Sequence, residues 1–265
     1  MNKKFMETVF FKPWSIWKPI WNFQSRTNPI FLPIIAFIIS STIITSFYAL
    51  TNYFAEWRDF SIFDSSTMID DKIPFIKNSI FIYATYYLLF IAVALSAPLN
   101  KKGLLECILM YQILLVLSIL SFIIFVLMPI KVDTREGLEI GNGIISSLYE
   151  ILYLADPPFN SWPSLHVMHS IFLSWILIRW LNLNQGLLKM PKMLNKSLLF
   201  KNRIFPFFIW VLAILISLST TTTKQHYFFD VITGVLFAAL GIKVMMLCIK
   251  KIENNEKMCF EKLES

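Results

Sequence analysis

The 265 residues contain only three histidines, His166, His169 and His226. Two of them stand in short polar clusters at the ends of apolar runs. His226 is followed four residues later by Asp230, within Lys224-Gln225-His226-Tyr227-Phe228-Phe229-Asp230. On a helix that spacing puts both side chains on one face. A carboxylate so placed holds the imidazole tautomer and stabilises its cation, which prepares a histidine to act as base or nucleophile. The same spacing also fits a structural hydrogen-bonded pair. The other cluster is Asn160-Ser161-Trp162-Pro163-Ser164-Leu165-His166. Pro163 suits the first turn of a helix, and Ser161 or Asn160 suits its cap. Ser164 and His166 then fall in the first turns, where free N–H groups and the positive end of the helix dipole face any bound anion. His169, three residues on, fits a packing role better than a chemical one.

The elements that must position these groups follow from hydropathy. Apolar residues make up 56% of the chain and charged residues only 15%, against roughly 25% charged in soluble domains. Six runs are long and apolar enough to cross a bilayer, near 31–54, 78–97, 104–128, 162–181, 204–221 and 227–249, since a spanning helix needs about 20 residues. The expected fold is all-α, a polytopic six-transmembrane-helix bundle over 31–250. A segment at 1–30 precedes it and a cytoplasmic tail at 251–265 follows. In the first segment Trp14, Trp17 and Trp21 alternate with Lys12, Lys18 and Arg26, which fits an interfacial helix or a plain basic tail. No cleavable signal peptide is expected, because these charges are not followed by a short apolar region with a small-residue site. Residues 144–155 are apolar but too short to span and contain Glu150; they read as a helix lying at the interface.

Six spans place both termini on one side. That side carries 18 of the 24 lysines and arginines, so the positive-inside rule makes it cytoplasmic. Cys107, Cys248 and Cys259 all fall there, and no disulfide framework is implied. The net charge of +7 forms no compact patch and does not point to nucleic acid. On the opposite side the third run ends near Pro129, Lys131 and Arg135, the fourth begins near His166 and the fifth ends before Lys224. Two histidines, an aspartate, a serine and three cations are thus expected to converge on one anionic group. No metal site is expected; Asp70 and Asp71 are a weak candidate, better read as a solvated loop. No cofactor and no protein partner is implied.

PSLH at 163–166 followed by QHYFFD at 225–230 resembles the type 2 phosphatidic acid phosphatase family, whose usual signature is KxxxxxxRP, PSGH, then SRxxxxxHxxxD. The longer stretches DPPFNSWPSLH at 156–166 and TKQHYFFDVITG at 223–234 are similar to a bacterial branch with PSLH for PSGH. The resemblance covers the third to sixth runs, somewhat over half the chain. It implies a lipid phosphatase in which His226 attacks phosphorus, Asp230 orients it and His166 protonates the leaving oxygen, with Ser164 as a phosphate ligand. Ser219 matches the serine of the last motif. The arginine expected next is Thr220; Lys224, one helical turn on, supplies a charge instead. The first motif is degenerate: Lys131 and Arg135 are four apart and Glu136 replaces the proline. The implied substrate is a lipid phosphate or diphosphate monoester in the bilayer, hydrolysed at the outer face of a bacterial inner membrane without a metal. The same residues also fit a lipid phosphotransferase of the head-group synthase type, and a non-enzymatic lipid-binding or transport protein is the third reading.

Overall fold

Inside a bilayer the backbone finds no water, so each apolar run must close its hydrogen bonds within itself. The computed structural model describes residues 7–58, 60–62, 64–135, 137–197, 200–254 and 263. Glu136, Cys259 and most of the expected tail lie outside them. Among the described residues α1 is Lys18–Arg26, α2 Phe31–Arg58, α3 Ser79–Ser96, α4 Lys101–Leu127, α5 Ile144–Ala155, α6 Leu165–Leu183, α7 Lys192–Lys196, α8 Phe205–Thr222 and α9 Phe228–Asn254. The architecture is all-helical. Five segments are long and apolar enough to cross a membrane: α2, α3, α4, the stretch Lys201–Thr222 that contains α8, and α9. This is an integral membrane protein.

α6, which forms from the fourth apolar run, falls outside that set because of its polar residues, and their burial explains how it carries them. His166, His169, Ser170 and Ser174 are all buried in the bundle, where α6 packs against α3, α8 and α9. At its far end the Arg179 Nε donates to Glu106 of α4 at 2.7 Å, and the Trp180 indole N–H donates to the same carboxylate at 2.7 Å. A central helix enclosed by apolar neighbours meets protein rather than lipid, so the hydropathy threshold for a lipid-facing span does not apply to it.

Hydrogen bonds across the loops define two ends. At one end the Ile62 N–H donates to the Pro129 carbonyl, Ile76 to Thr222 and Ser164 to Asp230. At the other, Leu99 donates to Gln185 and Leu188 to Leu95, and Lys251 pairs with Glu7 at 3.1 Å. The first end therefore gathers the C-termini of α2, α4 and α8 and the N-termini of α3, α6 and α9. The polar run at the end of α8 satisfies its hydroxyls within the helix, because they bond back to carbonyls three or four residues earlier: Ser217 to Ala213, Ser219 to Ile216, Thr220 to Ser217 and Thr221 to Leu218.

Two shorter elements complete the bundle. Trp17 and Trp21 are buried, 1% and 5% exposed, in the core with Leu32, Ala36, Leu104 and Leu105. The segment is pinned by Gln112 of α4, whose amide donates to the carbonyls of Val9 and Lys12. α5 forms where a short helix was expected. Tyr149 and Leu152 are buried against Ile80 and Tyr83 of α3, while Ile144 and Leu154 are 81% and 84% exposed.

Gly234 fixes how closely α9 meets the start of α6. A Cβ there would stand 2.7 Å from the Ser164 carbonyl oxygen and 2.9 Å from the Val167 Cβ. Backbone cannot yield as a flexible side chain can. Gly234→Val is therefore expected to push α9 away and part the residues one turn before it from Ser164. Turnover should fall at least tenfold, and thermal unfolding in detergent should shift down with it.

Candidate active site

Ser164 is the N-cap of α6, in extended conformation (φ −65°, ψ 111°), and its Oγ accepts from the Val167 N–H at 3.4 Å. The cap is thus Ser164, not Ser161 or Asn160, and Pro163 precedes it. Asn160 has other work: its amide donates to the Tyr48 carbonyl at 2.9 Å and to the Thr51 Oγ1 at 2.8 Å, tying the loop to α2. Because the cap is Ser164, His166 stands in the first turn and points into the bundle end.

His226 lies in the short turn between α8 and α9. The Thr220 carbonyl accepts from both Gln225 N–H, at 2.9 Å, and His226 N–H, at 3.2 Å, and Lys224 takes the left-handed conformation at φ 59°. Thr220, which stands where the motif has arginine, is fully buried, and its hydroxyl donates to the Ser217 carbonyl at 2.7 Å. The two histidines meet here: the His226 Nε2 is 3.3 Å from the His166 Nδ1. Behind His226, its Nδ1 is 3.5 Å from the Asp230 Oδ2. That is long for a hydrogen bond, and catalytic bonds commonly tighten only when substrate binds. Asp230 is fully buried and held by the Tyr227 N–H at 2.9 Å and the Ser65 hydroxyl at 3.4 Å.

Of the two cations nearest this centre, Arg135 is the better fixed. Its Nε donates to the Lys224 carbonyl at 3.2 Å, one terminal nitrogen to the Asp156 carbonyl at 2.7 Å and the other to the Gln225 side-chain oxygen. It also lies 4.8 Å over the Tyr153 ring. A guanidinium has five N–H groups, so two remain for an anion. Burial pushes the Tyr153 hydroxyl up to about 12 against the lowering effect of Arg135, which keeps it a neutral donor to the Thr223 carbonyl at 3.1 Å. The Lys224 ammonium reaches the Ile73 carbonyl at 2.7 Å, anchoring the 64–78 loop over the turn. The other expected ligands stand apart. Lys131 is paired with Asp133 at 3.7 Å, and the two side chains are 41% and 63% exposed. Ser219 donates to the Ile216 carbonyl at 2.6 Å, so its proton is spent inside α8.

His169 is a satisfied core histidine. The Ser118 hydroxyl donates to the Leu114 carbonyl at 2.8 Å, so its oxygen accepts from the His169 Nε2 at 2.9 Å. The Nδ1 then accepts from the Tyr86 hydroxyl at 2.8 Å. Both ring nitrogens are in use.

Four contributors carry no motif. Asp70, read from sequence as solvated, is buried and accepts from the Phe228 N–H at 2.7 Å. It thereby caps α9 from 158 residues away, a contact worth about 1 kcal/mol. Tyr83 stands 2.7 Å from the His166 Nε2, and Tyr48 and Tyr83 both bond the Asp156 carboxylate. Asp156 does open the DPPFNSWPSLH stretch, but nothing local marks it. Among the described residues no group of three or more histidines, cysteines, aspartates or glutamates is placed to hold a metal ion.

With this geometry in view, the family is plain: the model of the PAP2 superfamily matches residues 40–253, and the chain belongs to that superfamily, whose members generally hydrolyse phosphate esters. No curated protein and no solved structure matches the chain.

Proposed function

We propose that the protein is a lipid phosphatase that works through a phosphohistidine on His226. The approach of the His226 Nε2 to the His166 Nδ1 at 3.3 Å, with Asp230 behind the first ring, is the observation that carries this reading. It supplies a nucleophile, its orienting acid and a proton donor in one line. A separation of 3.3 Å is too narrow to admit a phosphorus atom between the nitrogens, so a substrate must part the rings or enter on the side that both nitrogens face.

The steps balance as follows. The His226 Nε2 lone pair forms the N–P bond as the P–O bond to the lipid alcohol breaks. The departing oxygen takes the proton from the His166 Nδ1. A water then gives its proton back to that nitrogen, its oxygen bonds phosphorus, and the N–P bond breaks to release phosphate. Arg135, with two free N–H groups, and Lys224, with two donors beyond its bond to Ile73, neutralise the developing charge, and the Ser164 hydroxyl donates to a phosphate oxygen. Purified protein assayed against lipid phosphates and diphosphates, with and without acceptor alcohols, tests the reading. Release of inorganic phosphate supports it. Transfer to the alcohol alone would make the protein a phosphotransferase, and inertness toward every member of the panel would refute the enzyme.

The bundle end that holds the site is proposed to face outward, with α6 as the sixth span, both termini in the cytoplasm and the membrane a bacterial inner membrane. The 18-to-6 division of basic residues supports this orientation. A cysteine introduced in 137–143 is expected to react with an impermeant label in intact cells, and reporters at both termini should read as cytoplasmic. Labelling of 137–143 only after lysis would reverse the orientation.

Charge stabilisation by arginine and lysine needs no divalent ion. Activity is expected to survive prolonged treatment with excess EDTA, measured as phosphate release; loss that Mg²⁺ restores would contradict the proposed chemistry.

A further inference from the structure

The proton donor needs its own support, and the bundle end contains a candidate that the reaction as written does not use. Asp156 is buried, and among the described residues no lysine or arginine side-chain nitrogen is paired with its carboxylate. An unpaired buried carboxylate is costly and persists only when it is hydrogen-bonded. Two tyrosines from separate helices provide the bonds: Tyr48 of α2 to one oxygen and Tyr83 of α3, at 3.3 Å, to the other. The Arg135 guanidinium holds the backbone carbonyl of the same residue at 2.7 Å.

An ionised Asp156 sets the directions of these bonds. An ionised carboxylate only accepts, so the Tyr83 hydroxyl proton goes to Asp156. The Tyr83 oxygen, 2.7 Å from the His166 Nε2, must then accept from it. His166 is thus held with a proton on Nε2, leaving Nδ1 as the nitrogen that can carry or release a second one. That is the nitrogen facing the His226 Nε2. Asp230 likewise calls for a proton on the far nitrogen of His226. The two facing nitrogens would then present lone pairs to each other at 3.3 Å unless a proton lies between them, and a general acid needs its proton in that position.

We propose that Asp156 is a positioning residue for catalysis, acting through Tyr83 to fix the tautomer of His166 and to hold its cation ready to protonate the leaving group. This rests on the phosphohistidine reading. Each histidine then has its own carboxylate: Asp230 directly behind His226, and Asp156 behind His166 with a tyrosine between. Asp156 and Tyr83 keep their own protons through the cycle. Only the His166 Nδ1 gives one up to the leaving oxygen and takes one back from water.

The test separates proton donation from folding by choice of leaving group. Phosphoenzyme formation is measured in a single turnover for wild type, Asp156→Asn, Tyr83→Phe and the double variant. One substrate is an alkyl lipid phosphate, whose alkoxide needs a proton; the other is nitrophenyl phosphate, whose phenolate leaves without one. For the alkyl substrate each single variant is expected to lose about 10- to 100-fold, part of the 10²–10⁴-fold that a general acid supplies. The aryl substrate should lose no more than about threefold, as leaving-group independence requires. The double variant should be no worse than the worse single one, because both changes break one chain. Equal loss with both substrates would assign Asp156 a structural role, and unchanged alkyl rates would assign it none; either result overturns the proposal. Wild-type protein that turns over substrate without a phosphoenzyme would instead refute the phosphohistidine reading on which it stands.

Discussion

His226→Ala is expected to abolish turnover and phosphoenzyme together while leaving the protein folded. The nitrogen proposed to form the bond to phosphorus has no equivalent substitute among the described residues. His166 presents a nitrogen at 3.3 Å, but its other nitrogen is held by Tyr83, and among the described residues no carboxylate contacts its ring directly as Asp230 approaches His226. His226 is buried but lies in a turn whose backbone is fixed by the Thr220 carbonyl, so truncating its side chain removes chemistry and little packing. The loss should reach the limit of detection, with monodisperse protein in detergent. Asp230→Asn should fall short of that. The ring would remain but lose its orienting charge; the asparagine oxygen can fill only one of the two places, so with the Tyr227 N–H kept its amide NH2 would face the Ser65 oxygen, which can accept. Full activity in His226→Ala, in folded membrane-inserted protein, would end the phosphatase account.

The second large effect belongs to His166→Ala, and its size should depend on the leaving group. A general acid contributes about 10²–10⁴-fold, and that contribution is needed only where the departing oxygen cannot bear its charge. Single-turnover phosphoenzyme formation from an alkyl lipid phosphate should therefore fall by about 10²–10⁴-fold, and from an aryl phosphate far less. The two substrates diverge only if His166 is a proton donor. If it merely braced His226, both rates would fall by the same factor. His169→Ala supplies the contrast. Both nitrogens of His169 bond Tyr86 and Ser118, so its removal should cost stability while the chemical step changes by less than the acid's contribution.

The all-helical fold and the polar ends of its helices were legible because hydropathy and spacing are local signals. His226 and Asp230 sit one turn apart and can be read as a pair without knowing where the chain goes. PSLH precedes an apolar run, and the structure brings it beside that pair. The partners of these residues were not legible. Asp156 is bonded by Tyr48 and Tyr83, 108 and 73 residues away, and an isolated tyrosine in an apolar helix carries no pattern. Asp70 looks like any loop acid until the α9 N-terminus arrives to meet it. The partners of the cations were not legible for a related reason. Lysine and arginine reach far, so the sequence placed Lys131, Arg135 and Lys224 at one end of the bundle but could not choose their partners. The structure gives Arg135 to the turn that carries His226, Lys224 to the covering loop and Lys131 to Asp133. Ser219 matched the motif by position, yet the helical backbone claimed its proton. α6 was expected as a span from its apolar residues; its buried histidines and serines make it the enclosed helix around which the others stand.

The most direct measurement is acid-free quenching during turnover of a phosphate-labelled substrate, followed by mapping of the labelled residue. The account predicts stoichiometric label on His226 that is lost in acid and stable in base, as a phosphoramidate should be. Active protein that carries no label at any quench time, or carries it on another residue, would contradict it.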